Sequence, residues 1–170
     1  DEAALNAAFA EQAQALAAAG ADAIVVETMS DLVEAGIAIE AAKATGVPVV
    51  ACMVFDSGKN RDRTMMGVTP TQAAEELTRF GADAIGANCG TGIDDYIPIS
   101  ASLKAATDLP IWIKPNAGIP ELENGEVVYR TTPAEFAAKV PRLLEAVASF
   151  VGGCCGTNPR FIEAMRRELD

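Results

Sequence analysis

The chain contains no histidine among its 170 residues. That excludes imidazole general bases, Ser-His-Asp and Cys-His nucleophiles, and every metal site with a His ligand. Any chemistry must fall to Cys, carboxylates, Asn, Lys, Tyr or the backbone. Basic residues are few: 13 Lys and Arg stand against 24 Asp and Glu, a net charge of −11. Such a surface repels polyanions, so neither nucleic acid nor an anionic membrane surface is expected as a partner. No apolar run approaches the ~20 residues that a membrane helix needs. Cysteine is limited to Cys52, Cys89, Cys154 and Cys155, far below the density of a disulfide scaffold. The last two are neighbours, a spacing that strains an ordinary bridge between them. A reducing, cytoplasmic setting is expected. The chain opens at Asp1, without an initiator Met and inside a helical pattern, which predicts a piece of a longer domain.

Half of the residues are apolar and the mean hydropathy is +0.19, which suits an α/β fold with strands buried on both faces. Residues 1–19 read as a helix with Leu5, Phe9 and Leu16 on one face and Gly20 as its stop. A short strand over 23–26 ends at Glu27. A helix over 31–45 turns Val33, Ile37 and Ala41 inward, and a strand from Val47 to Phe55 ends at Asp56. A long polar loop over 57–68 leads to Thr69-Pro70-Thr71-Gln72, which reads as a capping box with Pro at the first helical position. A strand over 84–88 carries Cys89, and a helix near 95–107 follows. Pro110 to Lys114 is a strand ending in Pro115-Asn116-Ala117-Gly118. Within 119–131 the pair Asn124-Gly125 predicts a tight hairpin. Thr132-Pro133-Ala134-Glu135 opens a helix to about Ala148, Ser149 to Val151 leads to the cysteine pair, and Asn158-Pro159 opens the final helix.

Strands therefore alternate with helices. Gly20-Ala21-Asp22-Ala23-Ile24 recurs as Gly81-Ala82-Asp83-Ala84-Ile85, a spacing of two βα units. This pattern suits a (β/α)₈ barrel. A flavodoxin-like or Rossmann sheet is the alternative, weakened by the lack of Gly-x-Gly-x-x-Gly after a first strand. In a barrel the strand ends Glu27, Asp56, Cys89, Asn116 and Cys154-Cys155 converge on the rim that holds active sites.

Each of these residues also has a bland reading. Cys89 alone could be a small buried hydrophobe. Asn116 could be a turn former and Glu27 a solvated strand end. Asp56, Lys59 and Arg61 read as a solvated loop, Lys114 carries no assignment, and Cys52 reads as core. Cys154-Cys155 resists the bland reading, because adjacent side chains cannot enter one core and glycines flank them on both sides. Three thiolates from two strand ends would hold Zn²⁺ with one position open, as in catalytic zinc sites. A redox pair at Cys154-Cys155 and a non-catalytic zinc scaffold stay open on residues alone.

The motifs Gly86-Ala87-Asn88-Cys89-Gly90 and Gly152-Gly153-Cys154-Cys155-Gly156-Thr157 resemble the two zinc motifs of the homocysteine S-methyltransferase family. Glu27-Thr28-Met29-Ser30-Asp31 is similar to that family's Glu-Thr segment at the end of the fourth strand. Thr64-Met65-Met66-Gly67-Val68-Thr69-Pro70 and Lys114-Pro115-Asn116-Ala117-Gly118 resemble its cobalamin-dependent branch. The resemblance implies a (β/α)₈ barrel of which residues 1–170 are the C-terminal part, about strands four to eight, with the N-terminal barrel half as the missing partner. It implies zinc on Cys89, Cys154 and Cys155, and homocysteine as the methyl acceptor. It further implies Glu27 at the substrate amino group, and Asn116 at the zinc's open position when substrate is absent. The methyl donor stays open between methylcobalamin on a separate corrinoid or folate-linked module, S-methylmethionine and betaine, and the likeness to the cobalamin-dependent branch favours the first.

Overall fold

The computed structural model describes residues 1–169. Five parallel strands form one sheet: β1 (Ile24–Met29), β2 (Val49–Met53), β3 (Ala84–Cys89), β4 (Ile111–Pro115) and β7 (Phe150–Val151). Their spatial order follows the chain, β1-β2-β3-β4-β7, with no reversal. A doubly wound sheet needs a reversal at its switch point, so this order is the barrel's and not the Rossmann alternative's. Between the strands run α1 (Glu2–Ala18), α2 (Leu32–Lys43), α3 (Pro70–Arg79), α4 (Ile93–Lys104), α5 (Pro133–Ala137) and α6 (Val140–Glu145), with α7 (Pro159–Leu169) last. α1 packs on α2, α2 on α3, α3 on α4 and α4 on α6, while α7 packs on α5 and α6.

The two faces of the sheet differ because strand side chains alternate. Val49, Ala51, Met53, Ile85, Ala87, Ile111 and Ile113 point to the helices and join the main core. Val50, Cys52 and Ala84 point the other way, where Val25 and Trp112 cover them. Fully buried Ile39, Leu77, Ile85, Leu103, Ile111 and Ile113 each contribute about 1.5–3 kcal/mol by burial. Phe136 and Phe161 meet edge to face at 5.5 Å and pin α5 to α7.

The repeated Gly-Ala-Asp has a local cause. After α1, Gly20 takes φ +89°, Gly20 N–H donates to Ala17 O, and Ala21 N–H donates to Leu16 O. After α3, Gly81 at φ +90° does the same with Thr78 O and Leu77 O. Both are Schellman stops, which need a left-handed residue and so favour glycine. The capping boxes form at Thr69 with Gln72 and at Thr132 with Glu135. The hairpin pairs β5 (Glu121–Glu123) with β6 (Glu126–Val128). Its turn residues Asn124 and Gly125 have φ +53° and +86°, as a primed turn requires.

Three expectations are corrected. The single helix from Thr132 to about Ala148 is two helices, α5 and α6, because Pro141 cannot donate a helical bond to Ala137 O. Val33 does not face the core, being 59% exposed, and Leu16 is 44% exposed. The small residues Ala13, Ala35, Ala38 and Ala42 bury instead, letting α1 and α2 approach closely. The first strand does not stop at Glu27 but continues to Met29 across a bulge, where the pairing to β2 slips between Val26 and Met29.

Candidate active site

Three of the buried polar residues gather at one end of the sheet: Asn88 and Lys114 near the C-terminal ends of β3 and β4, and Asn116 just after β4. This end of the sheet also holds the cysteines. Cys89 closes β3, and the Cys154 N–H donates to Pro115 O at 2.9 Å, extending the β4–β7 pairing into the glycine loop. The Sγ atoms of Cys89, Cys154 and Cys155 lie within 4.8 Å of one another, and those of Cys89 and Cys155 are 3.8 Å apart. Sulfurs ~2.3 Å from one tetrahedral zinc would be separated by about 3.8 Å, so the donor set fits such an ion. All four cysteines are free thiols.

Glycine makes this loop possible. A Cβ at Gly153 would stand 2.5 Å from Thr157 Oγ1, and one at Gly156 would stand 2.2 Å from the Tyr129 ring. Thr157 Oγ1 donates to Cys154 O at 2.7 Å and closes the turn. On the other side Cys89 itself is left-handed, at φ +64°. Such a backbone costs a non-glycine residue roughly 1–3 kcal/mol and persists only where its surroundings hold it.

Asn116 supplies that hold. Its Nδ2 donates to Gly90 O at 2.8 Å, and its Oδ1 accepts the Cys155 N–H at 2.9 Å. One buried amide thus ties the Cys89 loop to the Cys154-Cys155 loop. Both ends of the side chain are engaged by backbone, which makes it a clamp between the two loops. Asn88, which the sequence reading quoted only within a motif, is a second clamp. Its Oδ1 accepts the Thr28 N–H at 2.7 Å, and its Nδ2 donates to Thr28 Oγ1 at 2.7 Å. Nδ2 also points at Cys154 Sγ, 3.7 Å away. Thr28 is left-handed at φ +63°, so Asn88 holds the β1 bulge that carries Glu27.

Glu27 does not stand alone. Its Oε2 accepts from Lys114 Nζ at 2.7 Å across the sheet. Lys114 had no assignment from sequence, and nothing local could have supplied one, since Glu27 is 87 positions away. Asp56 hydrogen-bonds Ser57 within the exposed loop, and Lys59 and Arg61 are solvent-facing, as expected. Cys52 lies in the core beneath the site; burial pushes its thiol up to about 12 despite the nearby Lys114 cation. The Cys155 thiol is pushed up to about 11, first by lost solvation and then by the Cys89 and Cys154 sulfurs. A cation bound beside the Cys155 sulfur would reverse that rise. Tyr129 rises above its usual range through desolvation and its contact with Cys155. Tyr96, buried under Gly90, donates its hydroxyl to Asn88 O at 2.9 Å and supports the same strand end.

The chain is 31% identical over 162 residues to the methionine synthase of Mycobacterium tuberculosis, covering 91% of this chain and 13% of that protein. It is 30% identical over 159 residues to the methionine synthase of Mycobacterium leprae, with the same coverage. It thus spans about one eighth of the length of these curated relatives. Its fold matches the apo form of the homocysteine methyltransferase MmuM of Escherichia coli with a TM-score of 0.78, 22% identity, and coverage of 99% of this chain and 57% of that one. The metallated form of MmuM matches with a TM-score of 0.70 and 23% identity, over 93% of this chain and 51% of that one. The homocysteine S-methyltransferase family model matches residues 1–169, and the chain belongs to that family.

Proposed function

We propose that residues 1–170 are the C-terminal part of a homocysteine-binding (β/α)₈ barrel, contributing strands four to eight, and that they serve methyl transfer to the thiol of homocysteine, giving methionine. The observation that carries this reading is the convergence of three thiols from the ends of β3 and β7 on a point that one ion can occupy. Cys89, Cys154 and Cys155 would hold the zinc. Bound there, the metal supplies a Lewis acid that replaces the proton of the substrate thiol, so that the sulfur is nucleophilic at neutral pH.

The chain's own residues then bind and orient. Asn116 and Asn88 set the distance between the two cysteine loops and keep the sulfurs gathered. Glu27, half exposed on the bulge, offers its carboxylate to the substrate's amino group. Tyr129 lies over Gly156 and shields one side of Cys155. No protein group is asked to take the thiol proton as a general base, which accords with a chain free of histidine.

Methylcobalamin on a neighbouring corrinoid or folate-linked module is the donor this reading favours. Its support is that the chain matches a small part of two methionine synthases. A different acceptor thiol would use the same site. Four free thiols suit a reducing cytoplasmic setting, and among the described residues no helix is long and apolar enough to cross a membrane.

Elemental analysis of the purified chain, kept reduced, tests the reading. About one zinc per chain is expected, lost in Cys89→Ala together with homocysteine binding. Tight zinc retained by Cys89→Ala, or a folded chain without zinc, would overturn it.

A further inference from the structure

The Glu27–Lys114 pair is asymmetric. The Lys114 side chain is 11% exposed and that of Glu27 is 47% exposed. The lysine is anchored from below. Its ammonium stands 4.8 Å from the centre of the Trp112 ring, a cation–π contact. Its stem runs along Gly152, where a Cβ would come within 3.2 Å of Lys114 Cγ, so the missing side chain makes room for it. The carboxylate is anchored by the bulge that Asn88 holds. Lys114 is also the ladder partner of Asn88, whose amide reaches Cys154 Sγ. A fixed ion pair therefore borders the sulfur cluster, with its positive end buried and its negative end open.

We propose that Lys114 determines substrate specificity: paired with Glu27, it selects a zwitterionic amino-acid thiol over a cationic aminothiol or an anionic thiol acid. The inference rests on the homocysteine reading above.

A lone carboxylate beside the metal site would attract any ammonium. Paired with a nearly buried lysine it carries no net charge but keeps a directed dipole. A carboxylate has several acceptor positions, so Glu27 can hold Lys114 and a substrate ammonium together. A cationic ligand then meets one attractive and one repulsive charge, and so does an anionic one. A zwitterion lying antiparallel to the dipole meets two attractive ones. Specificity is this difference of affinities, and the repulsive contact supplies it. Because Lys114 is largely withdrawn from solvent, its charge is weakly screened at the distances involved.

Calorimetric titration of the zinc-loaded full chain tests this with three probes: homocysteine, mercaptopropylamine (which lacks the carboxylate) and mercaptobutyrate (which lacks the amine). The native chain should prefer homocysteine to both. Lys114→Met should shift the affinity ratio of homocysteine to mercaptopropylamine toward the amine by about tenfold or more, the worth of one charge contact. Glu27→Gln should shift selectivity toward mercaptobutyrate. Lys114→Arg, which restores the charge, should keep the native ratios. Equal loss for all three probes in Lys114→Met, or unchanged ratios, would overturn the inference while leaving thiol binding intact. If Lys114→Met does not fold, Glu27→Gln at its exposed position decides alone, and unchanged ratios there overturn it. If the native chain binds none of the three thiols, the homocysteine reading fails and this inference falls with it.

Discussion

Replacing Asn116 by Ala probes how the cysteine loops are held together. The side chain is 3% exposed and makes two hydrogen bonds to backbone, with Gly90 O and with the Cys155 N–H. Removing it leaves both groups without their partner. Each unsatisfied buried group costs roughly 1–3 kcal/mol, less where water reaches it. Cys155 is exposed, so its amide can be hydrated, whereas the Gly90 loop is only half open. A loss of about 2–3 kcal/mol in folding stability follows. The sulfurs sit on the loops that Asn116 ties, so zinc affinity should fall by roughly 10–100-fold, the usual effect of losing a supporting contact behind a metal ligand. Urea unfolding of the metal-free chain reads the first number, and competition with a chromogenic chelator reads the second. Asn116→Asp keeps the acceptor for Cys155 but sets a carboxylate oxygen against Gly90 O, and so isolates that half of the clamp. An Asn116→Ala chain that unfolds and binds zinc like the native one would refute the argument.

Two further perturbations follow from other parts of the structure. Gly156→Ala should lose about 1–3 kcal/mol and weaken zinc binding, since φ is +78° and the new Cβ would stand 2.2 Å from the Tyr129 ring; an unchanged unfolding midpoint would contradict this. The Asp83 carboxylate accepts the Val49 N–H at 2.7 Å and is paired with Lys43, and the Lys43 contact first, then that amide, holds its carboxyl below the usual carboxylate range. A lowered folded value means its contribution is full above the unfolded pKa of about 4 and disappears as pH falls through the folded one. Because the pair is half exposed, the contribution is only about 1 kcal/mol. Asp83→Asn should therefore lower stability at neutral pH and flatten the acid limb of a stability–pH curve; parallel curves for the two proteins would count against it.

What the sequence determined by itself is what local chemistry dictates. The helix stops at Gly20 and Gly81, the capping boxes at Thr69 and Thr132, and the Asn124-Gly125 turn each depend on a few adjacent residues, and each formed where the residues placed it. Apolar runs ending in Glu27, Cys89, Asn116 and Cys154-Cys155 marked one edge of the sheet, because parallel strands bring their C-terminal ends together. Helix faces were less legible. In α1 and α2 alanines rather than Leu16 and Val33 bury, because the largest side chain does not always face the core when two helices pack closely.

The tertiary structure alone decided how the site is held. Glu27 meets Lys114, and Asn88 meets Thr28 and Cys154, across separations of 60 to 87 positions that carry no local signal. The strained backbone at Thr28 and Cys89 is likewise invisible in residue type, since neither is glycine. At Thr28, a β-branched residue, the distant Asn88 amide holds that backbone through two hydrogen bonds. Asn116 shows the difference most clearly. Its sequence context read only as a turn former, and the fold makes it the clamp between two loops that the chain separates by dozens of residues.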